Sequence, residues 1–354
     1  MKGKHHVGAL CLCGSLFVTA STAYASNALT ELYGATVNGV SNLVGTVTDP
    51  LAGVLIGATQ IAPRWLQRTV IRIQGRTLEL TPGTAAFDLT FVHNGVSRSI
   101  IVVRPEPATN RAPVVVMLHG NGGTPQNQAN LAEIAPLVAS TGTWVFLPSA
   151  VKGVWDDDPS SSDPSKDDVG FISRVIDIAV AGYQLDADRV YAAGLSNGGF
   201  MSQRLACELS DRIAAVGVVS AALRTGVQSN CAGGAPRPIT LIVGTTDPIV
   251  PYGGIGNIRS ADATLAFWAA RNGCVSSAAI VTDLPNSTAD GTTVRQTVHQ
   301  ACASGKDVIR YTVNGGGHAW PGGWQYLPVP VIGTTSTDID ASAILFGFFS
   351  RYTR

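Results

Sequence analysis

Arg189-Val190-Tyr191-Ala192-Ala193-Gly194-Leu195-Ser196-Asn197-Gly198-Gly199-Phe200 is the stretch that decides the fold. Val190 to Ala193 form an apolar run that reads as a buried strand, and Phe200 to Leu209 are compatible with a helix. Between them, G-x-S-x-G sets Ser196 on a tight strand-to-helix turn, the nucleophile-elbow arrangement, which leaves the hydroxyl exposed at the strand end. Side chains in place of the flanking glycines would clash with the strand and helix on either side. With 39 glycines in the chain, a bare G-x-S-x-G also arises by chance, and the competing reading is a glycine-rich turn capped by Ser196. The strand before and the helix after favour the nucleophile.

Working outward, continuous apolar runs recur at 114–118, 144–147, 214–219, 239–243 and 308–313, as expected of strands buried on both faces. Helix-compatible segments at 127–140, 169–183, 200–209 and 260–272 separate most of them. Alternating runs at 86–92 and 98–104, joined by an Asn94-Gly95 turn, add an antiparallel pair. The expectation is an α/β protein, a mostly parallel eight-stranded sheet with helices on both faces. Eight is the strand number of the α/β-hydrolase core. In such sheets the site lies beyond the carboxyl ends of the strands.

Lys2 and Lys4 precede an apolar segment from Val7 to Ala20 and an Ala23-Tyr24-Ala25 cleavage pattern, so residues 1–25 read as an export signal. The segment is too short to span a bilayer, and no later one qualifies, so a secreted protein without stable membrane insertion is expected. Residues 26–75 read as an N-terminal extension of unknown role, and 76–354 as the catalytic domain. With Cys11 and Cys13 in the signal, Cys207, Cys231, Cys274 and Cys302 remain. Four cysteines in an oxidising compartment predict two disulfides, with three possible connectivities. Sequential pairing, which closes two short loops, is favoured. Neither C-x-x-C nor close histidines occur, so no metal and no cofactor is expected. Lys plus Arg and Asp plus Glu number 24 each and there is no basic patch, which argues against nucleic acid. Charged residues are 14% of the chain, which suits a neutral or apolar ligand.

A serine hydroxyl needs a base that is itself oriented by an acid. Asp247, directly after the run 239–243 and before Pro248, is the acid candidate; a turn-forming Asp-Pro is the alternative. Asp156, Asp157, Asp158 and Asp338 compete, but none follows a buried strand directly. His318, in Gly315-Gly316-Gly317-His318 after the last predicted strand, is the base candidate, with His93 and His299 in polar, turn-like contexts. Asn197 follows the nucleophile and supplies one oxyanion N–H. His119-Gly120-Asn121-Gly122-Gly123 follows the run 114–118, and there Asn121, with Gly122 as a near alternative, supplies the second. His119 is expected to be structural, and Asp168 to cap a helix. Trp155, Tyr252, Trp320 and Trp324 are candidates for lining the acyl or alcohol pocket, with ordinary packing the alternative for each.

The chain resembles the exported polyhydroxybutyrate depolymerase and feruloyl esterase family of α/β-hydrolases. The resemblance rests on Leu118-His119-Gly120-Asn121-Gly122-Gly123, Asp167-Asp168-Val169-Gly170-Phe171, Gly194-Leu195-Ser196-Asn197-Gly198-Gly199, Gly244-Thr245-Thr246-Asp247-Pro248-Ile249-Val250-Pro251-Tyr252, Gly316-Gly317-His318-Ala319-Trp320-Pro321-Gly322-Gly323 and Asp338-Ile339-Asp340-Ala341. It implies that Ser196, Asp247 and His318 occupy the triad positions and that the cysteines pair as in the family. Residues 26–75 have no counterpart, and no C-terminal polymer-binding module follows. Short polyester oligomers of the 3-hydroxybutyrate type are therefore the expected substrate. An esterase removing feruloyl or acetyl groups from plant polysaccharide is the alternative within enzymes, and a non-catalytic exported binding protein the alternative outside them.

Overall fold

The computed structural model describes residues 68–161 and 163–354, together with the backbone of 36–38 and 45–46. The expected export segment and most of the N-terminal extension lie outside the described residues. Strands are β1 (Thr36–Asn38), β2 (Gly45–Thr46), β3 (Thr69–Ile73), β4 (Arg76–Leu80), β5 (Thr84–His93), β6 (Val96–Pro105), β7 (Val114–Leu118), β8 (Trp144–Pro148), β9 (Val190–Leu195), β10 (Ala215–Val219), β11 (Ile239–Gly244), β12 (Ile280–Asp283), β13 (Thr293–His299) and β14 (Val308–Asn314). Helices are α1 (Pro125–Leu131), α2 (Ile134–Thr141), α3 (Asp168–Asp177), α4 (Asn197–Glu208), α5 (Thr225–Asn230), α6 (Ala261–Arg271), α7 (Val329–Ile332) and α8 (Ala341–Phe349).

Among the described residues, eleven strands form one sheet in the order β1-β5-β6-β8-β7-β9-β10-β11-β14-β13-β12. The middle eight are the strands expected from the sequence. From β8 to β14 they run parallel, and β5 and β6 precede them antiparallel. Asn94 and Gly95 both take positive φ, 48° and 78°, as a two-residue hairpin turn requires. Three strands go beyond the expected eight. β1 pairs with β5 at one edge, and the β12–β13 hairpin extends the other. β12 is exposed throughout, so it has no apolar run to announce it.

Every residue of β7, β8, β9, β10 and β11 is buried. Their side chains alternate between two cores. Val114, Val116 and Leu118 join one with α3, α4 and α6; Val115 and Met117 join the other with α1, α2 and α8. Removing each such side chain from water stabilises the fold by roughly 1.5–3 kcal/mol. The β3–β4 hairpin, turning at Gln74-Gly75, packs Ile73, Leu78 and Leu80 into the second core. Cys207 pairs with Cys231 and Cys274 with Cys302, the sequential pattern. Among the described residues, no helix is long and apolar enough to cross a membrane.

Candidate active site

Strand register does the positioning. Leu118 of β7 lies opposite Gly194 of β9, so the loop after β7 and the turn after β9 begin side by side. Gly244 of β11 lies opposite Val313 of β14, which brings the Asp247 loop against the His318 loop. β8 flanks β7 on one side and β9 on the other, so the strand order reverses there. Such reversals open a crevice at the carboxyl ends of the strands. Here it is a cleft of about 620 Å³ lined by Ser196, His318 and Asn121 among others.

Ser196 sits at φ 54°, ψ −118°, strain that persists only where the surroundings over-determine it. Its N–H donates to Val219 O at 2.9 Å, and its carbonyl accepts from the Phe200 N–H at 2.8 Å. A Cβ on Gly194 would collide with the Gly198 backbone, and one on Gly198 with the Leu118 carbonyl. The packing therefore demands both glycines. Ser196 precedes the first residue of α4, so the positive end of that helix faces the reaction centre.

His318 Nδ1 lies 2.7 Å from Asp247 Oδ2, with both side chains almost fully buried. Asp247 Oδ1 accepts from the backbone N–H groups of Ile249 and Val250, each at 2.8 Å. The carboxylate is thereby fixed and selects the Nδ1–H tautomer, which leaves Nε2 as a base. Tyr326 donates its hydroxyl to the His318 carbonyl at 2.8 Å and steadies the loop. Burial and the Asp247 charge push the Tyr326 phenol up to about 12. A direct Ser196–His318 hydrogen bond is not among the described contacts. Bonds of this kind commonly tighten only around bound substrate.

Two backbone donors flank Ser196. Gly122 N–H donates to Gly153 O and Gly123 N–H to Gly120 O, both at 2.9 Å, whereas the N–H groups of Asn121 and Asn197 have no partner among the described hydrogen bonds. Of Asn121 and its near alternative Gly122, Gly122 is the weaker second donor, because its N–H is already bonded to Gly153 O. His119 is buried beneath this loop. Its Nδ1 lies 2.8 Å from Gly120 O, and its Nε2 accepts from the Ala150 N–H at 3.1 Å. Burial lowers its pKa, favouring the neutral ring those two contacts require.

The Asn197 side chain, whose role the sequence did not signal, ties the elbow to the 155–157 loop. Its Oδ1 accepts from Trp155 N–H at 2.7 Å, and its Nδ2 donates to Asp157 Oδ2 at 2.8 Å. Asp157 also pairs with Arg224. Its pKa is raised, because burial outweighs these partners.

Of the four aromatic candidates, Trp324 lines the cleft and is 43% exposed. The structure corrects the others. Trp155 is buried with its Nε1–H on His119 O, and Trp320 is buried with its Nε1–H on Ser342 Oγ, so both rings are core. Tyr252 donates to Asp262 and borders a small cavity behind Asp247 rather than the cleft. The cleft wall also includes Gln128, Ile249, Tyr326 and Leu327, which no local pattern marked. The competing aspartates are engaged elsewhere: Asp156 with Arg204, Asp158 with Asn257 and Asp338 with Ser287 and Thr288. Asp167, not Asp168, caps α3, accepting from the Gly170 N–H; Asp168 is instead buried against Arg98 at 2.6 Å.

Residues 98–237 match the family model for the esterase PHB depolymerase family. A putative esterase, NocK, of Nocardia uniformis subsp. tsuyamanensis is 30% identical over 253 residues, 65% of this chain and 72% of that protein. Feruloyl esterase B of Piromyces equi is 28% identical over 250 residues, 65% of this chain; the chain spans 45% of that relative's length. The solved acetyl xylan esterase from Aspergillus awamori superposes with a TM-score of 0.51 at 15% identity, covering 74% of this chain and 99% of that one. That likeness shows the fold, an α/β-hydrolase.

Proposed function

Because the chain belongs to the esterase PHB depolymerase family and is a carboxylic ester hydrolase, we propose that it works through a Ser196-His318-Asp247 triad and an acyl-enzyme. Ser196 Oγ attacks the ester carbonyl while His318 Nε2 takes its proton. The imidazolium returns that proton to the leaving alkoxide, and the alcohol departs. Water, activated by the same imidazole, then cleaves the acyl-enzyme to release the carboxylic acid and Ser196. Asp247 holds the imidazole in its tautomer. The N–H groups of Asn121 and Asn197 stabilise the tetrahedral oxyanion, each worth about 2.7–4 kcal/mol. The observation that carries the proposal is the buried Asp247–His318 pair at 2.7 Å beside a cleft that also holds the strained serine.

The same reading takes short polyester oligomers of the 3-hydroxybutyrate type as the substrate. It takes residues 1–25 as a removed export signal, 26–75 as an N-terminal extension and 76–354 as the catalytic domain. Two disulfides support export. Ser196→Ala should abolish ester hydrolysis while leaving thermal unfolding nearly unchanged; retained turnover would refute the mechanism. A second reading, hydrolysis of feruloyl or acetyl esters of plant polysaccharide, is favoured by the likeness to the Piromyces equi enzyme. Side-by-side rates on 3-hydroxybutyrate oligomers, methyl ferulate and acetylated xylan separate the two.

A further inference from the structure

Resting on the ester-hydrolase reading above, we propose that Gln128 determines specificity, its side-chain amide donating to a second, uncharged carbonyl oxygen of the substrate, apart from the scissile one. Helix α1 carries four amide side chains: Asn127 and Gln128 line the cleft, and the other two staple the β3–β4 hairpin. Gln126 donates to Ile73 O at 3.0 Å, while Asn130 donates to Thr77 O and accepts from Glu79 N–H. Residues 126 and 130 are one turn apart and share a face, so 128 lies on the opposite side of the helix. That side borders the cleft. Gln128 is 2% exposed, and its Nε2 has no protein partner. Among the described buried side-chain atoms without a partner, it alone belongs to a residue lining the cleft. A buried amide donor is costly to leave unsatisfied, and a carbonyl oxygen brought against this wall of the cleft would satisfy it.

The surroundings say which acceptor it meets. No Lys, Arg, Asp or Glu is among the lining residues. The residues flanking the site run without a formal charge, His aside, over 112–132 and 311–337. Ile249, Trp324 and Leu327 offer half-exposed apolar wall. The nearby charge is the Asp247 carboxylate, whose influence is felt at Tyr326. A substrate carboxylate would have to shed water with one amide donor and a like charge behind it, which disfavours it. A neutral carbonyl is matched by that single donor. An oligoester supplies one on its next repeat; a simple alkyl ester does not.

The test compares the methyl ester of the 3-hydroxybutyrate dimer, which has a second carbonyl, with ethyl butyrate, which has none, followed by acid release. Gln128→Leu should lower kcat/KM on the dimer ester about tenfold or more while ethyl butyrate stays within about twofold. Its melting temperature should not fall, since the buried nitrogen removed has no protein partner. Equal losses on both esters, or none on either, would overturn the proposal; Gln128→Met gives the same comparison should the leucine variant fail to fold. Wild-type turnover of ethyl butyrate, lost in Ser196→Ala, tests the underlying hydrolase reading separately.

Discussion

Asp247→Asn is the sharpest probe of the site, because the structure dictates how the new amide must sit. In the wild type one carboxylate oxygen accepts two backbone N–H groups at 2.8 Å and the other meets His318 Nδ1 at 2.7 Å. Asparagine has one acceptor oxygen. Turned toward His318, it would press its NH₂ against the N–H groups of Ile249 and Val250, leaving two buried donors unsatisfied at about 1–3 kcal/mol each. Turned toward those N–H groups, it keeps both bonds and presents NH₂ to His318 Nδ1. The second arrangement wins by a few kcal/mol, and it forces the proton onto Nε2, where the base is needed. We expect kcat to fall by about 10⁴ with KM little changed, as for a triad locked in the wrong tautomer. Stability should drop modestly, since charge-assisted bonds become neutral ones. The assay is steady-state hydrolysis of p-nitrophenyl butyrate alongside thermal unfolding. A variant within about tenfold of wild-type kcat would show that this carboxylate does not orient the base.

Other perturbations test the supports of the site. Gly198→Ala should prevent correct folding or cost about 3 kcal/mol or more, because its Cβ meets the Leu118 carbonyl, which cannot retreat without breaking the β7–β9 ladder; a normal melting temperature would contradict this. Opening Cys207–Cys231, which spans 24 residues, should destabilise by about 3 kcal/mol in the chain-entropy account, read by denaturant midpoint for Cys207→Ala/Cys231→Ala. His119, whose folded pKa is depressed by burial, titrates below its unfolded value of 6.5. Its neutral contacts are fully available above that pH. As pH falls through 6.5 the unfolded chain gains a proton that the native state refuses, so stability declines. His119→Gln should flatten the decline in Tm between pH 7 and 5, and an unchanged slope would count against the assignment.

Local features made much of this legible. The elbow was readable because strand, tight turn and helix lie within about twenty consecutive residues, and the eight central strands because burial on both faces leaves unbroken apolar runs. β12 left no such mark: an exposed edge strand needs only a partner, and its partner β13 comes ten residues later. The aromatic assignments show the opposite limit. Trp320 and Trp324 share one glycine-rich loop and Trp155 follows a glycine turn, yet two of the rings are swallowed by opposite cores and one faces the cleft. A large flat side chain goes wherever packing leaves room, and that room is set by elements far away in the chain. The Asn197 side chain is hidden for the same reason: its partners lie forty residues upstream.

By itself, then, the amino-acid order determined which backbone segments become buried strands, where the chain must turn tightly, and which residue types stand at the strand ends. Those depend on periodicity, apolarity and glycine, all short-range properties. Only the tertiary structure decided which of these ends are neighbours, through the register of β7 with β9 and of β11 with β14. It also decided which amide N–H groups stay uncommitted and which glutamine of α1 keeps an unpartnered side-chain nitrogen. Hydrogen bonding and close packing are saturable, so what one group leaves unsatisfied is known only after all the others have chosen their partners.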